Sequence, residues 1–317
     1  MKKFKIIILN ILLFILIFEL TEFIIFKYYK NVYKKIYKHT LVCNFGYKWI
    51  FPTYLQNLGA YFYFEDPKYQ GRKPDGTMYD NKKPIVIFGC SIAHGSYLEK
   101  NQTFSYKLSD ELKCPVYNRA IPGGGIQHMY FQTTTDDFYK YVPQSDTIIY
   151  VLIEDQIRRM MVNYFSVLDL HIMLHYSIKN NKLVMDNYNN NFFNFLKSLY
   201  ISKAINHIYV NNFVKNKANS EKIANLILLY LTESKKELET HWNKKVKFYI
   251  LMYDNLDILY KNEIKKKLEE NGFIVISTSE LTNENLLSEK YLMLDNYHPT
   301  EAAWDLLTPK IIEKFGL

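Results

Sequence analysis

Cysteine is scarce in this chain: 317 residues contain three, Cys43, Cys90 and Cys114. A sparse, odd set makes no disulfide framework, and no spacing here gives a zinc-type pair. No internal repeat divides the sequence. No small-x-small cleavage site follows its first apolar run, and Cys43 lies too far beyond that run for a lipoprotein anchor. Basic residues form no stripe outside the N-terminal region. The formal charge is +8, yet residues 1–40 hold eight lysines against two glutamates, so the remainder is close to neutral. With no RNA-binding signature either, nucleic acid is excluded as a partner. His171 and His175 sit four apart beside Asp169, but no glutamate of the HExxH type accompanies them. No metal and no cofactor is expected.

Apolar side chains are plentiful. The chain is 48% hydrophobic and 16% aromatic, enough for one substantial core or a core with a lid. Lys2, Lys3 and Lys5 precede an apolar run from Ile6 to Phe18, which Leu20 and Phe23 to Phe26 extend. That length suits a bilayer-spanning helix. Glu19 and Glu22 fall towards its C-terminal end, where snorkelling limits their cost. Residues 1–26 are therefore expected to form an uncleaved membrane anchor. Lysines flank both of its ends, and a strict positive-inside count would leave the following domain in the cytoplasm. A large domain behind an N-terminal anchor favours export, so an extracytoplasmic domain is the expectation. Residues 27–38 suit a segment lying on anionic head groups.

Residues 27–83 read as a juxtamembrane linker and an N-terminal extension packed on the main domain, which runs over 84–317. Within that domain strand and helix alternate. Strands are predicted at 84–88, 116–118, 147–153, 246–252 and 273–276, several of them continuous apolar runs of the kind buried on both faces. Helices are predicted at 102–113, 126–141, 219–241, 257–270 and 300–315 from apolar residues at helical spacing. Residues 160–217 break the alternation and read as an insertion, a candidate cap. The pattern predicts a doubly wound α/β fold with parallel strands and right-handed crossovers.

Chemistry-bearing residues gather where such strands end. Phe88-Gly89-Cys90-Ser91 delivers a serine from the first strand into a tight turn. Serine needs a base within reach and a group that orients the base. Asp295 and His298, three apart before the last helix, supply both. Asn118 to Gly125 follows the second strand with three glycines, whose backbone N–H groups can approach an oxyanion. His94 reads as a surface residue at a helix start, with a site-lining role as the alternative. Gly124 and His128 are further candidates for lining the site.

These residues resemble the SGNH/GDSL hydrolase family over residues 82–317. Phe88-Gly89-Cys90-Ser91 matches the nucleophile block, Asn118 to Gly123 the glycine block, and Asp295-x-x-His298-Pro299 the final block. The resemblance implies a three-layer α/β/α, flavodoxin-like fold and ester hydrolysis or acyl transfer. It makes Ser91, His298 and Asp295 the triad, and the backbone N–H groups of Ser91 and Gly123 the oxyanion hole. Cys90 stands where the family has a non-catalytic aspartate. Asp155 stands where the family has an asparagine that donates to the oxyanion. Either Gln156 substitutes, or Asp155 is protonated or paired with an arginine, or backbone N–H groups suffice. Arg158 and Arg159 are read as structural partners for Glu154 or Asp155. Acidic residues followed by Arg-Arg look like a membrane-anchored bacterial subset whose substrate is presumed to be a cell-envelope glycan. The expectation is thus an anchored serine esterase removing acyl groups, in the first instance acetyl, from such a glycan. An O-acyltransferase with the same triad and a degenerate glycan-binding protein are the alternatives.

Overall fold

The computed structural model of the chain describes residues 74–79, 81–161, 176–179, 182–185, 212, 213, 215–253, 260–295 and 297–317, together with residue 13. The anchor expected at 1–26, the segment at 27–73, the paired His171 and His175 and most of the insertion lie outside these residues. Among the described residues no helix is long and apolar enough to cross a membrane.

Five strands form one parallel sheet. They are β1 (Ile85–Phe88), β2 (Val116–Asn118), β3 (Thr147–Leu152), β6 (Lys247–Met252) and β7 (Ile274–Ser277), in the order β2-β1-β3-β6-β7. Two further strands, β4 (Tyr176–Lys179) and β5 (Lys182–Met185), pair as a separate antiparallel ribbon inside the insertion. The order reverses between β1 and β3. Such a switch point opens a crevice beyond the carboxyl ends of the strands, where ligands of open α/β sheets bind.

The pleat sends alternate side chains to opposite faces, and both faces are covered. Val86, Phe88, Ile148, Tyr150, Leu152, Phe248 and Ile250 join one core. There they meet α3 (Ile126–Thr133), α6 (Ser220–Trp242) and α7 (Lys261–Glu270) through residues such as Ile126, Ile227, Leu231 and Leu268. Ile85, Ile87, Ile149, Val151, Tyr249 and Leu251 join a second core with Ile92, Phe104, Leu108, Trp304, Leu307 and Ile311. Those come from α1 (Ser91–His94), α2 (Phe104–Leu112) and α9 (Glu301–Phe315). The result is three layers, helix on sheet on helix, as the alternation predicts. Residues before β1 also take part: Asp75 bridges to Val116 by two backbone hydrogen bonds and covers the outer edge of β2.

One predicted helix is two. The spacing over 126–141 gives α3 and then α4 (Asp136–Tyr141). Thr133, Thr134 and Thr135 each turn a hydroxyl back onto the carbonyl three residues earlier, at 2.8–3.0 Å. Such back-bonding competes with the helical ladder and stops it there. Two short helices were not foreseen: α5 (Glu154–Met161), directly after β3, and α8 (Thr278–Leu281), directly after β7.

Candidate active site

Gly89 makes the turn that presents Ser91. Its φ is +151°, and a Cβ there would stand 2.7 Å from Ala93 Cβ and 3.1 Å from Val151 O. Only glycine lets the chain leave β1 so close to β3. Ser91 then opens α1, a single turn closed by Gly95 at φ +71°. Ser91 is 8% exposed, and its Oγ is 4.0 Å from Cys90 Sγ.

The Asp295–His298 pair is formed by one local loop. His298 Nδ1 and Asp295 Oδ2 are 2.5 Å apart, while Asp295 Oδ1 accepts backbone N–H bonds from Tyr297 and His298 at 3.0 Å. Burial alone would raise the Asp295 carboxyl. The His298 ring, then the backbone N–H groups, outweigh it and hold the carboxyl below its ordinary 3.8. With Nδ1 committed to the carboxylate, Nε2 is the nitrogen left for chemistry. It is buried and has no hydrogen-bond partner among the described residues. The Ser91–His298 bond is therefore not closed here; catalytic contacts of this kind commonly tighten only when substrate is bound. The Tyr97 ring packs edge-on against His298, 4.7 Å between centroids, on a backbone turned to φ 72°.

The glycine loop is clamped from both sides. Ile121 N donates to Gly89 O at 3.0 Å, tying the loop to the turn that presents Ser91. Gly124 N donates to Ile121 O at 2.8 Å, so that N–H is spent inside the loop, and Gly123 sits at φ +72° within the same turn. Gly125 N donates to His128 Nδ1 at 3.0 Å. His128 is thus placed as a clamp for the loop. His94 is buried, 1% exposed, and its Nδ1 lies 3.4 Å from Ser96 Oγ. The surface reading of His94 is corrected: α1 is one turn long and packs inward whole, histidine included.

The segment after β3 answers the question raised by Asp155. Gln156 turns its Oε1 back to Ile153 N at 3.0 Å, capping the start of α5. Its Nε2 is buried without a partner among the described residues. Asp155 Oδ2 accepts from Arg159 at 3.1 Å and from the Tyr297 hydroxyl at 3.1 Å. Of the alternatives left by the sequence, pairing with an arginine is the one formed. Arg158 correspondingly faces Glu154 at 3.4 Å. Arg159 also donates to Gly124 O at 3.3 Å, and its own carbonyl accepts from Gln127 at 3.0 Å. One guanidinium thereby joins α5, the glycine loop and, through Asp155, the His298 loop. Burial pushes the Cys90 thiol up, and the Arg159 charge pulls it part of the way back. Tyr297 and Tyr97 were missed from sequence. Tyr297 is flagged only by lying between Asp295 and His298; nothing marks Tyr97. Among the described residues no group of His, Cys, Asp and Glu is placed to hold a metal ion.

No protein-family model and no curated protein matches this sequence. Solved structures do overlap with it, among them G-D-S-L lipolytic proteins and carbohydrate esterases. A member of the lipolytic protein G-D-S-L family from Veillonella parvula is 13% identical, with 74% of this chain and 98% of that one covered at TM-score 0.42. A lipase from a goat rumen metagenome is 10% identical, covering 74% and 97% at TM-score 0.46. An acetyl xylan esterase from the rumen bacterium Butyrivibrio proteoclasticus is 13% identical, covering 74% and 64% at TM-score 0.42. At such identities and scores the overlap establishes neither a shared substrate nor a shared site.

Proposed function

We propose that the protein is a serine esterase that removes acyl groups, acetyl in the first instance, from a cell-envelope glycan. The observation that carries this reading is the Asp295–His298 pair, whose Nε2 is buried and unfilled at the sheet edge where Ser91 emerges. In this reading His298 Nε2 takes the Ser91 hydroxyl proton as Oγ attacks the ester carbonyl, and returns it to the leaving alcohol. Water, activated by the same nitrogen, then releases the acid. Asp295 stays ionised and orients the imidazole. The N–H groups of Ser91 and Gly123 face the developing oxyanion. The glycan assignment rests on the acidic residues followed by Arg158-Arg159, together with the lysine-flanked apolar run at the N-terminus, which would tether the domain at the envelope.

Fluorophosphonate labelling of the full chain, followed by peptide mapping, tests the nucleophile. Label is expected on Ser91. Absence of label under conditions that mark a control esterase would sink the reading. Release of acetate from O-acetylated glycans tests the substrate class. Transfer of acetyl to a sugar acceptor instead of water would convert the assignment to an acyltransferase. Glycan binding that survives Ser91→Ala, with no turnover by the wild type, would mark a degenerate site.

A further inference from the structure

An oxyanion needs donors that point at it before it forms. In this site the side chains available for that role are unusual. Gln156 has its oxygen fixed on Ile153 N, and its amide nitrogen is buried with no partner among the described residues. An Asp155 carboxylate cannot donate. Arg159 is the charged donor of the three, and the one bonded to the glycine loop. Its side chain is 21% exposed, so a ligand can reach it. Two of its N–H groups are spent, one on Asp155 Oδ2 and one on Gly124 O. A guanidinium carries five N–H donors in a rigid fork, so three make no hydrogen bond to a described residue. The two anchors belong to the first turn of α5, directly after β3, and to the loop after β2. The charge is also felt at that edge: it offsets the burial of the Cys90 thiol, next to Ser91, and of the Tyr150 phenol on β3.

We propose that Arg159 is a catalytic residue that supplies the side-chain donor to the oxyanion, with Asp155 and Gly124 O holding its guanidinium in place. This inference rests on the esterase reading above. The Asp155 carboxylate then acts as a positioning residue. It fixes the fork and balances its charge, and Tyr297 fixes the carboxylate in turn.

Steady-state hydrolysis of p-nitrophenyl acetate by the full chain tests this, comparing wild type with Ser91→Ala, Arg159→Ala and the double variant Arg159→Ala/Asp155→Asn. Arg159→Ala is expected to lower kcat by about 10²–10³ with KM within about threefold, the size of losing one oxyanion donor. The double variant should stay as slow, and added guanidinium ion should restore part of the rate to Arg159→Ala. A kcat within about threefold of wild type in Arg159→Ala overturns the proposal. So does recovery in the double variant, because Arg159 would then serve only to neutralise Asp155. If thermal melting shows Arg159→Ala unfolded, Arg159→Lys decides: it keeps the charge and loses the fork, and should cost about tenfold or more in kcat, whereas full activity overturns the proposal. Loss of turnover in Ser91→Ala with an unaffected Arg159→Ala sinks this inference alone. An inactive wild type, or an active Ser91→Ala, sinks the esterase reading itself.

Discussion

Strand β3 is bracketed by two aspartates, and they behave differently. Asp146 precedes it and Asp155 follows it. Asp146 makes ion pairs with Lys83 and Lys244 at the open N-terminal edge of the sheet, and its backbone carbonyl accepts from Lys247 N at 2.8 Å, where β6 begins. Both of its partners are flexible lysines, with side chains 71% and 34% exposed. Asp155 meets an arginine that is itself pinned to the glycine loop, and a tyrosine beside His298. The first arrangement closes an edge with solvated charge, which is worth little. The second fixes three loops against each other at the edge where Ser91 stands. The same residue type pairs with exposed lysines before the strand and joins the candidate site's segments after it.

Several substitutions can break or sharpen this contrast. The largest effect on activity at the carboxyl edge should come from Asp295→Asn, which leaves the imidazole in place with the wrong tautomer. Ester hydrolysis should fall by about 10⁴ with the protein still folded at neutral pH; a loss under tenfold would mean that His298 does not depend on its carboxylate. Gly89→Val should come next in severity, now for stability. A side chain at φ +151° that collides with Ala93 and the β3 backbone forces the nucleophile turn open, and should cost about 3 kcal/mol or more in urea unfolding, with activity lost alongside. Tyr297→Phe removes one hydroxyl from Asp155 and should reduce kcat about three- to tenfold, the scale of one net hydrogen bond. The mildest is Asp146→Asn at the opposite edge. It should shift the melting temperature by less than about 4 °C and leave kcat unchanged. A kcat loss there matching that of Tyr297→Phe would erase the distinction between the two ends.

Acid titration adds a further comparison. Asp146 and Asp295 both sit below the ordinary carboxylate value of 3.8 in the folded protein. A folded pKa below the unfolded one means stability that is complete above about 3.8 and is lost as pH falls through the lower, folded value. Asp295→Asn should therefore lower stability at neutral pH and leave it unchanged at pH well below 3.8, so that the acid limb flattens. An unchanged limb would show that the His298 pairing does not stabilise the folded state.

Much of the scaffold was legible in the sequence because a parallel sheet covered on both faces demands uninterrupted apolar runs. Ile148 to Ile153 and Phe248 to Met252 are such runs, and they are β3 and β6 within a residue. The β4–β5 ribbon was not legible: four-residue strands in an asparagine-rich stretch carry no periodicity to read. Nor was the break between α3 and α4, where three threonine hydroxyls override apolar spacing that continues past them. The acid–base pair was legible because Asp295 and His298 lie three residues apart, so one turn of loop suffices to join them. Asp155 with Tyr297, and Arg159 with Gly124, were not. These contacts span 142 and 35 residues, and only the folded sheet brings their loops to one edge.

The last described helix also sets an order of events. Trp304, Leu307 and Ile311 of α9 are wholly buried in the second core, and His298 lies only three residues before that helix begins. Seen from the ribosome, Ser91 is made some two hundred residues before His298. On the esterase reading proposed above, the serine stays an inert hydroxyl until the chain has been made through Phe315 and α9 docks. Completion of the domain and activation of Ser91 are then one step, and a chain ending before His298 should show no turnover.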